Sequence, residues 1–124
     1  MSKKVSRNTE ITEQFLQLVQ QNLRDMYAGK AEKRFHAQDF AAEMFLSKIH
    51  LSNTIHLTTG KSPCDFMEEG ILTQAQRLLR ETDLSIADIA YRFVYNDPGN
   101  FTRFFKGMCG MTPKEYRKQL IISN

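Results

Sequence analysis

The sequence predicts an all-α protein of seven helices, and three observations carry that prediction. Apolar residues recur at three- and four-residue spacing along most of the chain, and no segment alternates apolar and polar residues as a half-buried strand does. Helix-start signals recur at Ser47, at Ser85-Ile-Ala-Asp88, at Asp97-Pro98 and at Thr112-Pro113-Lys114-Glu115. A weak internal repeat pairs a short Ala-containing helix, a tight turn and a second capped helix in two places.

The first helix is expected from about Glu10 to Ala28, with Ile11, Phe15, Leu18, Val19, Leu23 and Met26 forming one apolar stripe and Gly29 as its stop. Lys30 to Arg34 make a short charged connection. The second helix, Ala37 to Phe45, turns Phe40, Ala41 and Met44 inward. The third starts at the N-cap Ser47 and runs to about Thr58, with Leu51 and Ile55 on one face. Gly60, Ser62 and Pro63 punctuate the chain before the fourth helix, Cys64 to Arg80, which carries Phe66, Met67, Ile71, Leu72, Ala75, Leu78 and Leu79. The fifth opens at the Ser85–Asp88 capping box and continues to Phe93.

Asp97 and Pro98 start the sixth helix, which runs to about Met108 and stops before Gly110. Its expected inner face is Phe101, Phe104, Phe105 and Met108. A short seventh helix begins at Thr112-Pro113. The repeat aligns Ala41 with Ala90 at an offset of 49 residues. That offset also places Leu51 on Asn100, Ser52 on Phe101 and Ile55 on Phe104, an imperfect match.

The 124 residues suffice for one domain or for two small subdomains sharing a helix. Hydrophobic residues at 41% and charged residues at 25% are ordinary for a globular protein, and nine Phe and six Met supply core volume in the absence of Trp. No apolar run approaches the roughly 20 residues that cross a bilayer, and the start MSKKVSRNTE has no signal-peptide apolar region, so a cytoplasmic location is expected. Cys64 and Cys109 stand alone, which suits a reducing compartment.

The net charge of +3 points only weakly to a polyanion. Its distribution says more. Between Gly99 and Gln119, Arg103, Lys106, Lys114, Arg117 and Lys118 face Glu115 alone, a local charge of +4 that exceeds that of the whole chain.

A helix-turn-helix needs one helix lying across the DNA backbone and a second with a buried face and a polar face that enters the major groove. The sixth helix meets that demand, with Gly99, Asn100, Thr102, Arg103 and Lys106 outward. Arg reads guanine and Asn adenine through paired hydrogen bonds, and Lys106, a turn further along, suits phosphate. The third helix offers Lys48, Ile49, His50, Ser52, Asn53 and His56. Ile49 suits a thymine methyl, Ser52 and Asn53 suit base edges, and Lys48, His50 and His56 suit phosphates.

The stretch from Leu84 to Arg117 resembles the second half of the DNA-binding domain of bacterial AraC/XylS transcription regulators. The resemblance is carried by Ile89-Ala90, the Val94-Tyr95 turn, Phe101 through Lys106, and Gly110-Met-Thr-Pro-Lys-Glu-Tyr116-Arg117. Gln38 to Arg80 is similar to the first half, through Ala41, Leu46-Ser47, Leu51, Gly60, Pro63, Phe66, Ala75 and Leu78-Leu79.

The resemblance implies two helix-turn-helix subdomains joined by a long linker helix. Residues 1–62 would hold the N-terminal helix and the first subdomain, 63–80 the linker, and 81–124 the second subdomain. The two recognition helices (about 47–58 and 97–108) would enter neighbouring major-groove segments on one face of the duplex. Base-reading positions then fall on Ile49, Ser52 and Asn53, and on Pro98, Gly99, Thr102 and Arg103. Pro98 and Gly99 have no hydrogen-bonding side chain, which leaves direct readout in the second half mostly to Arg103. Three positions depart from the pattern: Phe45 and Val94 stand where a small residue is usual in the turns, and Ile71 where an Arg is common.

The implied partner is double-stranded DNA, with RNA polymerase as a second candidate. A small-molecule effector enters only through a separate sensing domain, since no segment here is large enough to form one. The chain is therefore either a complete regulator or the C-terminal piece of a longer one. A helical protein-interaction module is the competing class, given the acidic Glu68, Glu69, Asp83 and Asp88.

An enzyme is disfavoured because no Gly-rich phosphate loop, G-x-S-x-G elbow or H-E-x-x-H appears. No cofactor is implied. The spacing of His36, His50, His56, Cys64 and Cys109 matches no zinc pattern.

Overall fold

A computed structural model describes residues 6–123, with side chains described to residue 120. Among the described residues all regular structure is helical: α1 (Arg7–Tyr27), α2 (Ala37–Glu43), α3 (Lys48–Thr59), α4 (Pro63–Glu81), α5 (Ile86–Arg92), α6 (Pro98–Cys109) and α7 (Pro113–Ser123). Seven helices in the expected order are therefore present, with ends displaced by a few residues.

The displaced ends have local causes. Helix α1 starts three residues before Glu10 because the Ser6 hydroxyl accepts from the Thr9 amide at 3.2 Å. It stops at Gly29, whose φ of 76° lets the Lys30 amide reach back to the Asp25 carbonyl at 2.8 Å. Helix α2 ends at Glu43, two residues short of Phe45, because Phe45 itself leaves the helical region. Helix α7, expected as a short last helix, spans 11 residues.

Two compact units emerge from the chain's internal contacts. One combines the described residues up to Arg24 with Phe35–Glu69; the other combines Asp25–Arg34 with the residues from Gly70 onward. The first unit is built around Phe15, which meets Phe40 edge-on at 5.1 Å and Phe66 at 5.8 Å, with Leu51 and Ile55 completely buried. The second is built around Phe101, whose ring lies 6.5 Å from Phe93, 5.5 Å from Tyr95 and 6.0 Å from Phe105. Ile71, Ala75, Leu78 and Leu79 of α4 are buried with them.

Each unit carries the same helix–turn–helix construction. At the end of α2 the Leu46 amide donates to the Ala41 carbonyl at 2.9 Å and the Phe45 amide to Ala42 at 3.2 Å. At the end of α5 the Tyr95 amide donates to Ala90 and the Val94 amide to Tyr91, both at 3.0 Å. This is the paired closure in which the residue after the C-cap turns left-handed. Here that residue is Phe45 (φ 58°) in one unit and Val94 (φ 61°) in the other, among the described residues the only non-glycine positions with positive φ. Glycine takes this conformation freely, whereas a side chain at Cβ resists it.

The register of the repeat is corrected by the turns. The offset of 49 holds from Ala41/Ala90 to Leu46/Tyr95. The second turn then takes one more residue, so the N-caps Ser47 and Asp97 differ by 50. From there Leu51 matches Phe101, Ile55 matches Phe105, and the C-caps Gly60 and Gly110 coincide.

The next helices also start alike. Asp65 accepts from the Ser62 amide at 2.9 Å and Glu115 from the Thr112 amide at 2.8 Å, while each Ser or Thr hydroxyl accepts in return. Hydrogen bonding to each carboxylate, from the backbone amide of Ser62 or Thr112 first and from its hydroxyl second, holds both carboxyls below their ordinary pKa.

Candidate nucleic-acid interface

Helix α3 is fixed at its start by Ser47, whose hydroxyl accepts from the His50 amide at 3.0 Å. Leu51, Thr54 and Ile55 are buried. On the other side Lys48, Ile49, His50, Asn53 and His56 are exposed and Ser52 is half-buried. Ile49 is 73% exposed, an apolar side chain held out in a polar row. Beside it, the start of α3 and the face of α2 border a shallow groove of about 520 Å³, lined by Gln38, Ala42, Leu46, Lys48 and Ile49. Leu57 and Phe45 were not anticipated as surface residues, yet they are 74% and 95% exposed.

Helix α6 starts where expected. The Asp97 carboxylate accepts from the Gly99 amide at 2.9 Å and Pro98 takes the first helical position. Its inner face is narrower than the sequence suggested. Phe101 and Phe105 are completely buried, but Phe104 is only half-buried and Met108 is 39% exposed. Phe101 and Phe105 are four apart and share one face, whereas the last turn of the helix runs past the core.

Outward, Asn100, Arg103 and Lys106 are exposed while Gly99 and Thr102 are half-buried. Three of these come together. Arg103 Nη2 donates to Asn100 Oδ1, and Arg103 Nη1 lies 3.7 Å from the point where a Cβ at Gly99 would sit. Thr102 and Lys106 stand outside that cluster.

Two arginines were missed as scaffold. Arg34, from the charged connection, donates Nη1 to the carbonyls of Phe93 at 2.9 Å and Val94 at 3.0 Å, and its guanidinium lies 4.0 Å from the centre of the Tyr95 ring. Arg92 of α5 donates to the Tyr27 carbonyl at 2.5 Å, capping α1.

Arg117, counted by charge with the basic face, points elsewhere. It donates to the carbonyls of Leu79 at 3.2 Å, Thr82 at 3.1 Å and Leu84 at 2.6 Å, which closes the end of α4. The Tyr116-Arg117 pair in the resemblance was the signal available for it. Lys114 and Lys118 are exposed. Lys61 is occupied by Glu69 at 2.6 Å and by the face of Phe66.

Among the described residues no three His, Cys, Asp or Glu side chains gather as a metal site, and no helix is long and apolar enough to cross a membrane.

Comparison with known proteins places these elements in context. A family model described as a helix-turn-helix domain matches residues 40–119. The chain is 33% identical over 89 residues to the HTH-type transcriptional activator RhaR of Yersinia pseudotuberculosis, covering 72% of this chain and 31% of that protein. The C-terminal domain of AraT, a response regulator from Geobacillus stearothermophilus, is similar in structure with a TM-score of 0.79 at 25% identity, covering 92% of this chain and 88% of that one. The DNA-binding domain of AdpA, solved in complex with a target DNA, has the same fold with a TM-score of 0.71 at 24% identity, covering 85% and 90%. The chain spans 31% or less of the length of the curated relatives it matches.

Proposed function

The chain belongs to the AraC-type helix-turn-helix family, and from that premise we propose that it is a sequence-specific transcription regulator that binds double-stranded DNA. The observation that carries this reading is the duplicated construction. Two twelve-residue helices, α3 and α6, each follow a left-handed turn, each bury a pair of large apolar side chains four residues apart, and each present a polar, partly basic face outward. That is the form a major-groove helix requires. The target DNA bound by the similar AdpA domain supports the same class of ligand.

In this reading α3 and α6 enter neighbouring major-groove segments. Ile49 meets a thymine methyl, and Ser52, Asn53 and Thr102 meet base edges. Arg103, beside Gly99 and Asn100, reads guanine, and Lys48, His50, His56 and Lys106 touch phosphates. Functionally, residues 1–62 carry the first reading unit with its N-terminal helix, 63–80 join the two, and 81–124 carry the second. The site of action is the cytoplasm, RNA polymerase is the protein partner, and any effector acts through a sensing domain outside this chain.

Fluorescence anisotropy with duplex DNA at several salt concentrations tests the proposal. Log affinity is expected to fall linearly with log salt, by about 0.9 for each phosphate neutralised. No binding to any duplex at low salt, or a flat line, overturns it.

A further inference from the structure

We propose that His56 is the proton-controlled counterpart of Lys106, so that α3 takes up a proton when it meets DNA and holds phosphate more tightly as pH falls. The inference rests on the DNA-binding reading above and deepens it, by giving one phosphate contact of the first unit a charge that switches on and off.

Helices α3 and α6 have equal length and matching caps, Ser47 and Asp97 at the start and Gly60 and Gly110 at the end. The Gly60 amide donates to the His56 carbonyl at 2.8 Å, and the Gly110 amide donates to the Lys106 carbonyl at 2.8 Å. His56 and Lys106 therefore hold the same place in the last turn of their helices, and both are exposed. The same register sets Asn53 against Arg103 and His50 against Asn100. Where α6 carries the fixed cations Arg103 and Lys106, α3 carries an amide and an imidazole. Its one Lys or Arg is Lys48, at its first residue.

The charge around α3 sharpens that difference. Among the described residues the first unit has four Lys and Arg against seven Asp and Glu, a net charge of −3. The second has eleven against seven, a net charge of +4. All three histidines, His36, His50 and His56, lie in the first unit. The charged residues that α1 brings to this unit are Arg7, Glu10, Glu13 and Arg24; α2 and its N-cap bring His36, Asp39 and Glu43. The start of α4 brings Lys61, Asp65, Glu68 and Glu69. Arg7 pairs with Glu10 at 3.7 Å, His36 with Asp39 at 3.6 Å and Lys61 with Glu69 at 2.6 Å. The fixed positive charge that α3 itself can set against a polyanion is a single lysine.

Histidine is the side chain whose charge ordinarily changes near pH 6.5. A neutral imidazole offers a phosphate one N–H donor and no charge; the protonated ring offers two donors and displaces a counterion, as Lys106 does. A phosphate beside the ring favours the protonated form, and the last turn of a helix also accommodates a cation. DNA binding therefore raises the ring's pKa. By linkage, the added affinity is complete below the ordinary histidine range and is lost as pH rises through the value reached in the complex. His50, set against the uncharged Asn100, carries the smaller share.

Anisotropy titrations with a random-sequence duplex at about pH 6 and about pH 7.5, at matched ionic strength, test this. The wild-type chain is compared with His56→Gln, His56→Lys and His50→Gln. The wild type is expected to bind about threefold or more tightly at the lower pH, as a one-unit rise of the ring's pKa on binding gives. Its salt slope should be steeper there by up to about 0.9. His56→Gln is expected to show the weaker affinity at both pH values and His56→Lys the tighter affinity at both. His50→Gln should keep most of the wild-type difference.

A wild type indifferent to pH, a pH difference undiminished in His56→Gln, or His56→Lys binding no tighter than wild type at the higher pH overturns the inference and leaves the DNA-binding reading standing. Failure of the wild type to bind at low salt at either pH overturns that reading itself.

Discussion

Arg34 and Val94, sixty residues apart in sequence, are joined by a 3.0 Å hydrogen bond from the guanidinium to the Val94 carbonyl. The same Nη1 also reaches the Phe93 carbonyl, so one side chain holds the carbonyls of the two residues after α5, at the point where the chain turns left-handed. Hydrogen bonds to a charged donor contribute about 1.5–3 kcal/mol when partly shielded from water. Arg34→Ala is expected to destabilise the protein by about 1–3 kcal/mol in urea unfolding. Arg34→Lys restores only part of this, because an ammonium cannot lie flat on the Tyr95 ring. An unchanged midpoint for Arg34→Ala would show the contact to be energetically idle.

The two left-handed turns allow a paired test of backbone strain. A left-handed non-glycine residue costs about 1–2 kcal/mol, and glycine adds roughly 0.5–1 kcal/mol of unfolded-state entropy. Phe45 is 95% exposed, so its side chain offers no burial to lose. Phe45→Gly is expected to be neutral or to stabilise by up to about 1 kcal/mol. Val94 is half-buried, so Val94→Gly should gain less, yet still cost less than the ~1 kcal/mol of a glycine placed in an ordinary helix. Thermal melts of both variants decide it, and a loss above about 1 kcal/mol in each would refute the strain.

Acid stability has a definite sign. The Asp65 and Glu115 carboxyls lie below their ordinary pKa because the amides and hydroxyls of Ser62 and Thr112 bond the charged form. A depressed folded-state pKa means the contribution is fully present above the ordinary carboxylate range, about 4, and is lost as pH falls through the folded-state value. Urea midpoints between neutral pH and pH 3 should therefore fall less steeply for Asp65→Asn combined with Glu115→Gln than for the wild type. Parallel curves would contradict the assignment.

The proposed reading divides the labour of α6 between Arg103 and Lys106. Arg103→Ala is expected to cost about 1–3 kcal/mol at one or two base pairs of a selected site and little on random DNA. Lys106→Ala should weaken binding to every duplex alike and reduce the salt slope by about one. Equal losses on specific and random DNA for both variants would make Arg103 a phosphate contact.

How much of this was legible in the sequence depends on the range of the signal. Helix starts at Ser47, Ser85, Asp97 and Thr112 were readable because a cap acts within three residues. Most of the buried faces of α1 and α3 was readable from spacing, but Leu18 is only half-buried, and the polar Asn22 and Thr54 are buried beside the apolar stripe. Spacing marks a face but not how far along it the neighbouring helix reaches, which is why Phe104 and Met108 were placed too deep. The one-residue slip between the repeats hid for a related reason: offset 49 aligns the first helices, and only the extra residue in the second turn brings Phe101 and Phe105 into line with Leu51 and Ile55. Arg34 and Arg117 left no local trace, since their carbonyl partners lie between 33 and 60 residues away. Phe45 was marked only by its position, where the resemblance puts a small residue in the turn, because residue type by itself suggests left-handed geometry mainly where it is glycine.

The polypeptide passes between its two compact units three times, inside α1, after Arg34 and inside α4. No single cut therefore yields either unit whole. A fragment beginning at Pro63 would contain every residue of α5, the turn and α6, yet it would lack the Tyr27 carbonyl that receives Arg92 and the Arg34 guanidinium that holds the turn at Val94. Anyone dissecting the chain, or grafting α6 onto another scaffold, has to carry residues 25–34 along as an inseparable brace.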